Sequence, residues 1–158
     1  SGEHVPTAVS SDSTVNVYSG AFAGVASPVK NHTPIIIAKI SLKAHASLAE
    51  TLPADFSGFI YVINGSVEVG EDRQSLETDQ VGWLNREEVP GHSALTLTAG
   101  AEGALVVLYA AQPQHHEIVS HGPFIADSME DIRQLYSDYR SGKMEHITEV
   151  SAEQQLTY

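Results

Sequence analysis

Apolar residues recur at period two along several short stretches of this chain and at helical spacing along one. Val15-Asn-Val-Tyr-Ser-Gly20 alternates like a short strand. Pro34 to Leu42 is rich in β-branched residues, and Ile36, Ala38, Ile40 and Leu42 share one face at period two, which predicts a strand. Phe59-Ile-Tyr-Val-Ile63 and Ser66-Val-Glu-Val69 flank Asn64-Gly65. That pattern predicts a hairpin, because a type I′ turn needs positive φ at both central residues and Asn-Gly supplies it. Val81 to Leu84 is a further short strand. Ala94 to Ala99 alternates cleanly, and the continuous apolar run Gly103 to Tyr109 predicts a buried strand. An edge strand is expected around Ile118 and Val119. The intervening segments 21–28, 71–80 and 85–93 are small, polar or Gly/Pro-bearing and read as loops.

One helix is legible. Asp127 and Ser128 are both good N-caps, and Glu130 and Asp131 place acids in the first turn, where the helix dipole favours them. Ile132, Leu135, Tyr136 and Tyr139 follow the i, i+3, i+4, i+7 spacing of one apolar face, and Gly142 stands beyond Arg140 as a stop. Many short strands followed by one late helix predict an all-β chain with one C-terminal helix, a sandwich or barrel of antiparallel strands. Residues 1–14 read as a flexible lead-in and 15–127 as the barrel. Residues 128–142 read as a helix packed on the barrel, and 143–158 as an acidic tail.

Composition narrows the function. With 158 residues the chain fits one domain. Lys and Arg total 8 against 20 Asp and Glu, a net charge of −12. Direct nucleic-acid binding needs a basic footprint, so none is expected, nor is docking on an anionic membrane. There is no cysteine, which excludes a disulfide framework, a thiolate metal site and a cysteine nucleophile. No apolar run approaches the ~20 residues of a membrane helix, and the first residues carry no secretory pattern. The sequons at Asn31 and Asn64 are therefore read as unmodified, and an intracellular location, cytoplasmic or nuclear, is expected. The first residue is Ser, so a longer natural protein is expected.

Longer motifs sharpen this. His121-Gly-Pro-Phe-Ile-Ala-Asp-Ser-Met-Glu-Asp-Ile-Arg-Gln134, followed by Asp138-Tyr-Arg-Ser-Gly142, resembles the closing motif of the pirin family. The departure is Ile125-Ala126-Asp127, where the family usually has Val-Met-Asn. Val15-Asn-Val-Tyr-Ser-Gly20 and Gly24 to Pro28 look like the entry to the C-terminal half of pirins. Phe59 to Val67 looks like its central hairpin, and Leu105 to Pro113 like an aliphatic strand with its exit. The likeness runs from about Val15 to His146. It implies a cupin β-barrel, jelly-roll-like. Pirins carry two cupins in tandem, with a single iron held by three His and a Glu in the N-terminal one. This chain resembles the C-terminal cupin, and the metal-bearing half is absent from the sequence.

The general cupin metal pattern, G-x5-H-x-H-x3–4-E-x6-G, can be laid on the chain from Gly65. It puts the Glu position on Gly58 and the His positions on Leu52 and Ala54, or on Thr51 and Pro53. The later His position falls near Ala94, with His92 two residues early. None of the residues at these positions is a ligand, so no metal and no cofactor is expected in this chain, and iron is implied only for the parent's N-terminal cupin. The alternative cluster is His115, Glu117 and His121, which share one face of an extended strand and could form an open triad. Tyr61, Trp83 and His92 are the candidates for a ligand pocket. No catalytic residue is assigned.

The resemblance implies a non-metal cupin half whose parent is a quercetin-type dioxygenase or a redox-linked transcription cofactor. The half itself would supply structure and protein contacts, with the missing N-terminal cupin or a second copy as partner. The alternative is a stand-alone cupin, either an oxygenase with non-standard ligands or a small-molecule-binding homodimer.

Overall fold

The computed structural model describes residues 5–87 and 90–144. The expected acidic tail lies outside the described residues from residue 145 onward. In chain order the strands are β1 (Thr7–Val9), β2 (Ser13–Ser19), β3 (Ala21–Phe22), β4 (Val25–Ala26), β5 (Ile35–Leu42) and β6 (Ser47–Pro53). They continue with β7 (Ser57–Val69), β8 (Gln74–Glu77), β9 (Val81–Leu84), β10 (His92–Ala111), β11 (Val119–His121) and β12 (Phe124–Ala126), and the chain then forms helix α1 (Met129–Arg140). The chain divides into two compact units between Gln114 and His115.

The first unit is an antiparallel sheet ordered β1-β2-β5-β10-β7-β8, with β6 added to β10 and β9 added to β7. The two long strands serve both arms of this sheet. The first half of β10 pairs with β6 and its second half with β5, while β7 pairs with β10 along its length. The inward set follows the period-two pattern. Ile36, Ala38, Ile40 and Leu42 of β5 meet Ile60 and Val62 of β7 and Val106, Leu108 and Ala110 of β10, all buried. Burying each large aliphatic of this set stabilises the fold by about 1.5–3 kcal/mol.

Asn64-Gly65 is not a hairpin turn. It lies inside the single 13-residue strand β7. Gly65 has φ +77, and a Cβ there would lie 2.1 Å from the Gly103 carbonyl oxygen. The glycine lets β7 bend against β10, whose register shifts between Ala99 and Ala104. Likewise the runs Ala94–Ala99 and Gly103–Tyr109 are two halves of one 20-residue strand. The loops expected at 21–28 and 71–80 hold the short strands β3, β4 and β8. Thr7–Val9 pairs with Thr14–Asn16, so the lead-in is sheet edge from Thr7 onward.

The second unit begins before the expected barrel boundary at residue 127, because β11 and β12 group with α1. The β11–β12 turn is Gly122-Pro123, with Gly122 at φ +58. Ser128 is the N-cap and accepts from the Asp131 amide, while Gly142 has φ +71 beyond the helix. Ile132 is buried, but Tyr139 of the same stripe is exposed. Tyr136 packs edge-on against Phe124 and His121. No helix among the described residues is long and apolar enough to cross a membrane.

Candidate functional site

The first unit contains a cavity of about 280 Å³. It lies where β6, the far end of β7, β9 and the start of β10 converge. Leu52, Phe56, Leu84, Leu95 and Ala110 give it an apolar wall. Glu71, Asp72, Gln74, Asn85 and Ser93 add oxygen and amide groups, and the lining holds no imidazole. Leu52 and Ala94, two positions where the metal pattern wants His, belong to this lining. Ala54, the other such position on that stretch, is buried. Gly58, the position for Glu, has no room for a side chain, since a Cβ would meet the Tyr109 carbonyl oxygen at 2.4 Å and the Ala110 Cα at 2.9 Å. An iron ion therefore does not fit here. At the ligand positions stand three aliphatic residues and a packed glycine, and divalent iron needs imidazole or carboxylate donors.

Of the three pocket candidates, Trp83 alone lines the cavity. His92 opens β10 opposite Pro53 and is exposed. Tyr61 sits on the outer face of the sheet, where its hydroxyl donates to Asp79 Oδ1 at 2.7 Å. Asp79 reaches it from a left-handed turn position, φ +67. The hydrogen bond to the Asp79 carboxylate, joined by desolvation and the carboxylate's charge, raises the phenol above its ordinary 10.0.

That outer face carries an aromatic ladder that periodicity alone did not single out. Trp83, Phe59 and Tyr109 occupy directly opposed positions on β9, β7 and β10. Phe59 stacks on Tyr109 at 5.1 Å and meets Trp83 edge-on at 5.5 Å. Trp83 is 76% exposed, Val81 44% and Tyr109 38%. The signal was present in the alternation of 104–111, where Ala104, Val106, Leu108 and Ala110 turn inward. Their partners Leu105, Val107 and Tyr109 must then face out.

The alternative triad lies in the second unit. His115 is exposed, with φ +54. Glu117 is exposed as well, and His121 Nδ1 lies 3.1 Å from the Tyr136 hydroxyl. The imidazole of His116, between the first two, instead faces Asp127 at 3.5 Å. Among the described residues no group of three or more His, Asp or Glu is disposed to hold a metal ion. Elsewhere in this unit, the Lys143 ammonium, helped by Gln134, holds the Asp138 carboxyl below its ordinary range.

Residues 37–145 match the family model of the pirin C-terminal cupin domain. Human pirin is 29% identical over 143 residues, which cover 89% of this chain and 48% of that protein. A pirin-like protein of tomato, Solanum lycopersicum, is 26% identical over 151 residues, covering 89% of this chain and 47% of that one. The chain thus spans about half the length of the curated relatives it matches. A crystal structure of a quercetin 2,3-dioxygenase from Acinetobacter baumannii superposes with a TM-score of 0.74 at 22% identity, over 90% of this chain and 48% of that one. That likeness is one of fold.

Proposed function

The chain belongs to the pirin C-terminal cupin domain family, and we propose that it acts as a metal-free cupin half, a structural and protein-interaction module. The donor set carries this reading. Where a cupin places its iron ligands, this chain has Leu52, Ala54, Gly58 and Ala94. At Gly58 a carboxylate side chain has no room, because its Cβ would collide with the backbone of β10. Iron-dependent chemistry of the quercetin-dioxygenase kind, or redox-linked control of transcription factors, belongs in this reading to the other half of a longer parent. The net charge of −12 directs any regulatory effect through protein contacts, since phosphate backbones would be repelled.

What this half contributes is a rigid sheet with a partly exposed aromatic face. The cavity beside it is apolar walled and lined by acceptors, which suits a small uncharged or cationic guest more than an anion.

Metal content after anaerobic loading with Fe(II), read by elemental analysis, tests the proposal. The expected stoichiometry is well below one iron per chain. A value near one overturns the reading and makes His115, Glu117 and His121 the first residues to substitute.

A further inference from the structure

The cavity of the first unit has a floor and a mouth of opposite character. Leu52, Leu95 and Ala110 are buried and form the floor, with Phe56 and Leu84 half-buried beside them. Glu71, Asp72, Gln74, Asn85 and Trp83 are exposed and stand at the mouth. The mouth thus carries two carboxylates, two amide groups and an indole. Among the described residues no Lys, Arg or His lines the cavity.

A tight turn puts the acids there. After β7 the Gly70 amide donates to the Thr96 carbonyl oxygen at 2.9 Å, which ties the turn to β10. Gly70 at φ +74 and Arg73 at φ +48 both take left-handed conformations, and the Arg73 amide donates back to the Gly70 carbonyl oxygen at 3.3 Å. Arg73 is the one cation of this turn, and its Nε lies 3.9 Å from Glu68 Oε2. Neither Glu71 nor Asp72 makes an ion pair among the described residues. An acid pair on an open turn would be only a solvated surface. Here it borders an apolar cavity, beside an exposed indole.

We propose that this cavity binds a small organic monocation, an amine or quaternary ammonium group on an apolar body the size of one aromatic ring. The proposal deepens the metal-free reading and rests on it, because a divalent metal ion at the floor would repel the cation. The carboxylates attract an ammonium group and repel a carboxylate or phosphate. A cation over an indole face gains an attraction that is strongest for Trp, and Trp83, 76% exposed, has surface left for a guest to cover. The apolar floor stabilises the body of the guest through the surface it removes from water. The volume of about 280 Å³ lies just below the range of sites that enclose drug-sized ligands, which fits a guest of about ten non-hydrogen atoms.

Trp83 is the single tryptophan of the chain, so its fluorescence reads this cavity directly. Titration of the metal-free chain with phenylpropylammonium, at neutral pH and low salt, tests the proposal. The expected result is a saturable change in Trp83 emission with a submillimolar dissociation constant. Phenylpropanol, of the same shape without the charge, is expected to bind about tenfold more weakly, and phenylpropionate to show no saturation. Glu71→Gln/Asp72→Asn is expected to bring the ammonium down towards the level of the alcohol while leaving the alcohol unchanged. Ala94→Phe, which fills the cavity from an exposed position of its lining, is expected to abolish binding of both. An absence of saturable binding overturns the proposal. So does an alcohol or carboxylate that binds as tightly as the ammonium, or a double acid variant that keeps the full advantage of the ammonium. Circular dichroism checks the fold of each variant. The two acids occupy exposed turn positions, so their variant decides the matter even where Ala94→Phe misfolds. Iron content is read separately, so a chain that holds no iron and binds no ammonium overturns this proposal and leaves the metal-free reading standing.

Discussion

Gly58 is held between two strands with no space for even one carbon. Its missing Cβ would sit 2.4 Å from the Tyr109 carbonyl oxygen and 2.9 Å from the Ala110 Cα, and backbone atoms in a paired strand cannot step aside. Gly58→Ala is therefore expected to destabilise the first unit by about 2 kcal/mol, the cost of overpacking, read as a lower midpoint in urea unfolding. The same contact explains why introducing Leu52→His and Ala54→His alone would leave a cupin site without its carboxylate. Tyr61, three positions along the same strand, shows how a surface phenol can be held in place. Asp79 adopts φ +67 to accept its proton, and the pair raises the Tyr61 pKa. The stabilisation is present below the ordinary phenol pKa and is lost as pH rises through the raised one.

At the scale of elements, the two long strands and the one helix obey different rules. β7 and β10 run through both arms of the sheet because glycines at their facing bends permit close approach, Gly65 against Gly103. Helix α1 depends instead on its caps. The Ser128 hydroxyl accepts from the Asp131 amide at 3.2 Å and donates to the Asp131 carboxylate, so one short side chain satisfies an orphan donor and fixes the first turn. Ser128→Ala is expected to cost about 1 kcal/mol, seen as lower helicity or a lower unfolding midpoint for this unit. Asp127, the rival cap in the sequence, faces His116 instead.

For the whole molecule, the division between Gln114 and His115 matters most. Residues 112–118 hold no strand or helix, and His115 takes φ +54 there. An exposed connector of this kind is where proteases enter first. Brief digestion with a low-specificity protease is expected to cut within Gln112–Ile118 and release the sheet unit intact, as mass spectrometry of the fragments would show. A stable fragment that retains residues through 144 would contradict the two-unit division. A net charge of −12 disfavours contact with phosphate backbones.

The inward faces of the strands, the N-cap at Ser128, the stop at Gly142 and the family itself were legible in the sequence. Each is written locally: period-two burial, a hydroxyl before an acidic first turn, a glycine at positive φ, a string of motif residues. Asn64-Gly65 misled because an Asn-Gly pair specifies a local backbone bend, while its use as a turn or as a bulge depends on what lies opposite. Here that is Gly103, 38 residues away along the chain, and the closeness of the two backbones keeps β7 continuous. The gathering of Trp83, Phe59 and Tyr109 on one face has the same origin. Strand partners and register are non-local, set by which hydrophobic faces close on one another, so only the tertiary structure could decide which aromatic side chains meet and which remain in contact with water.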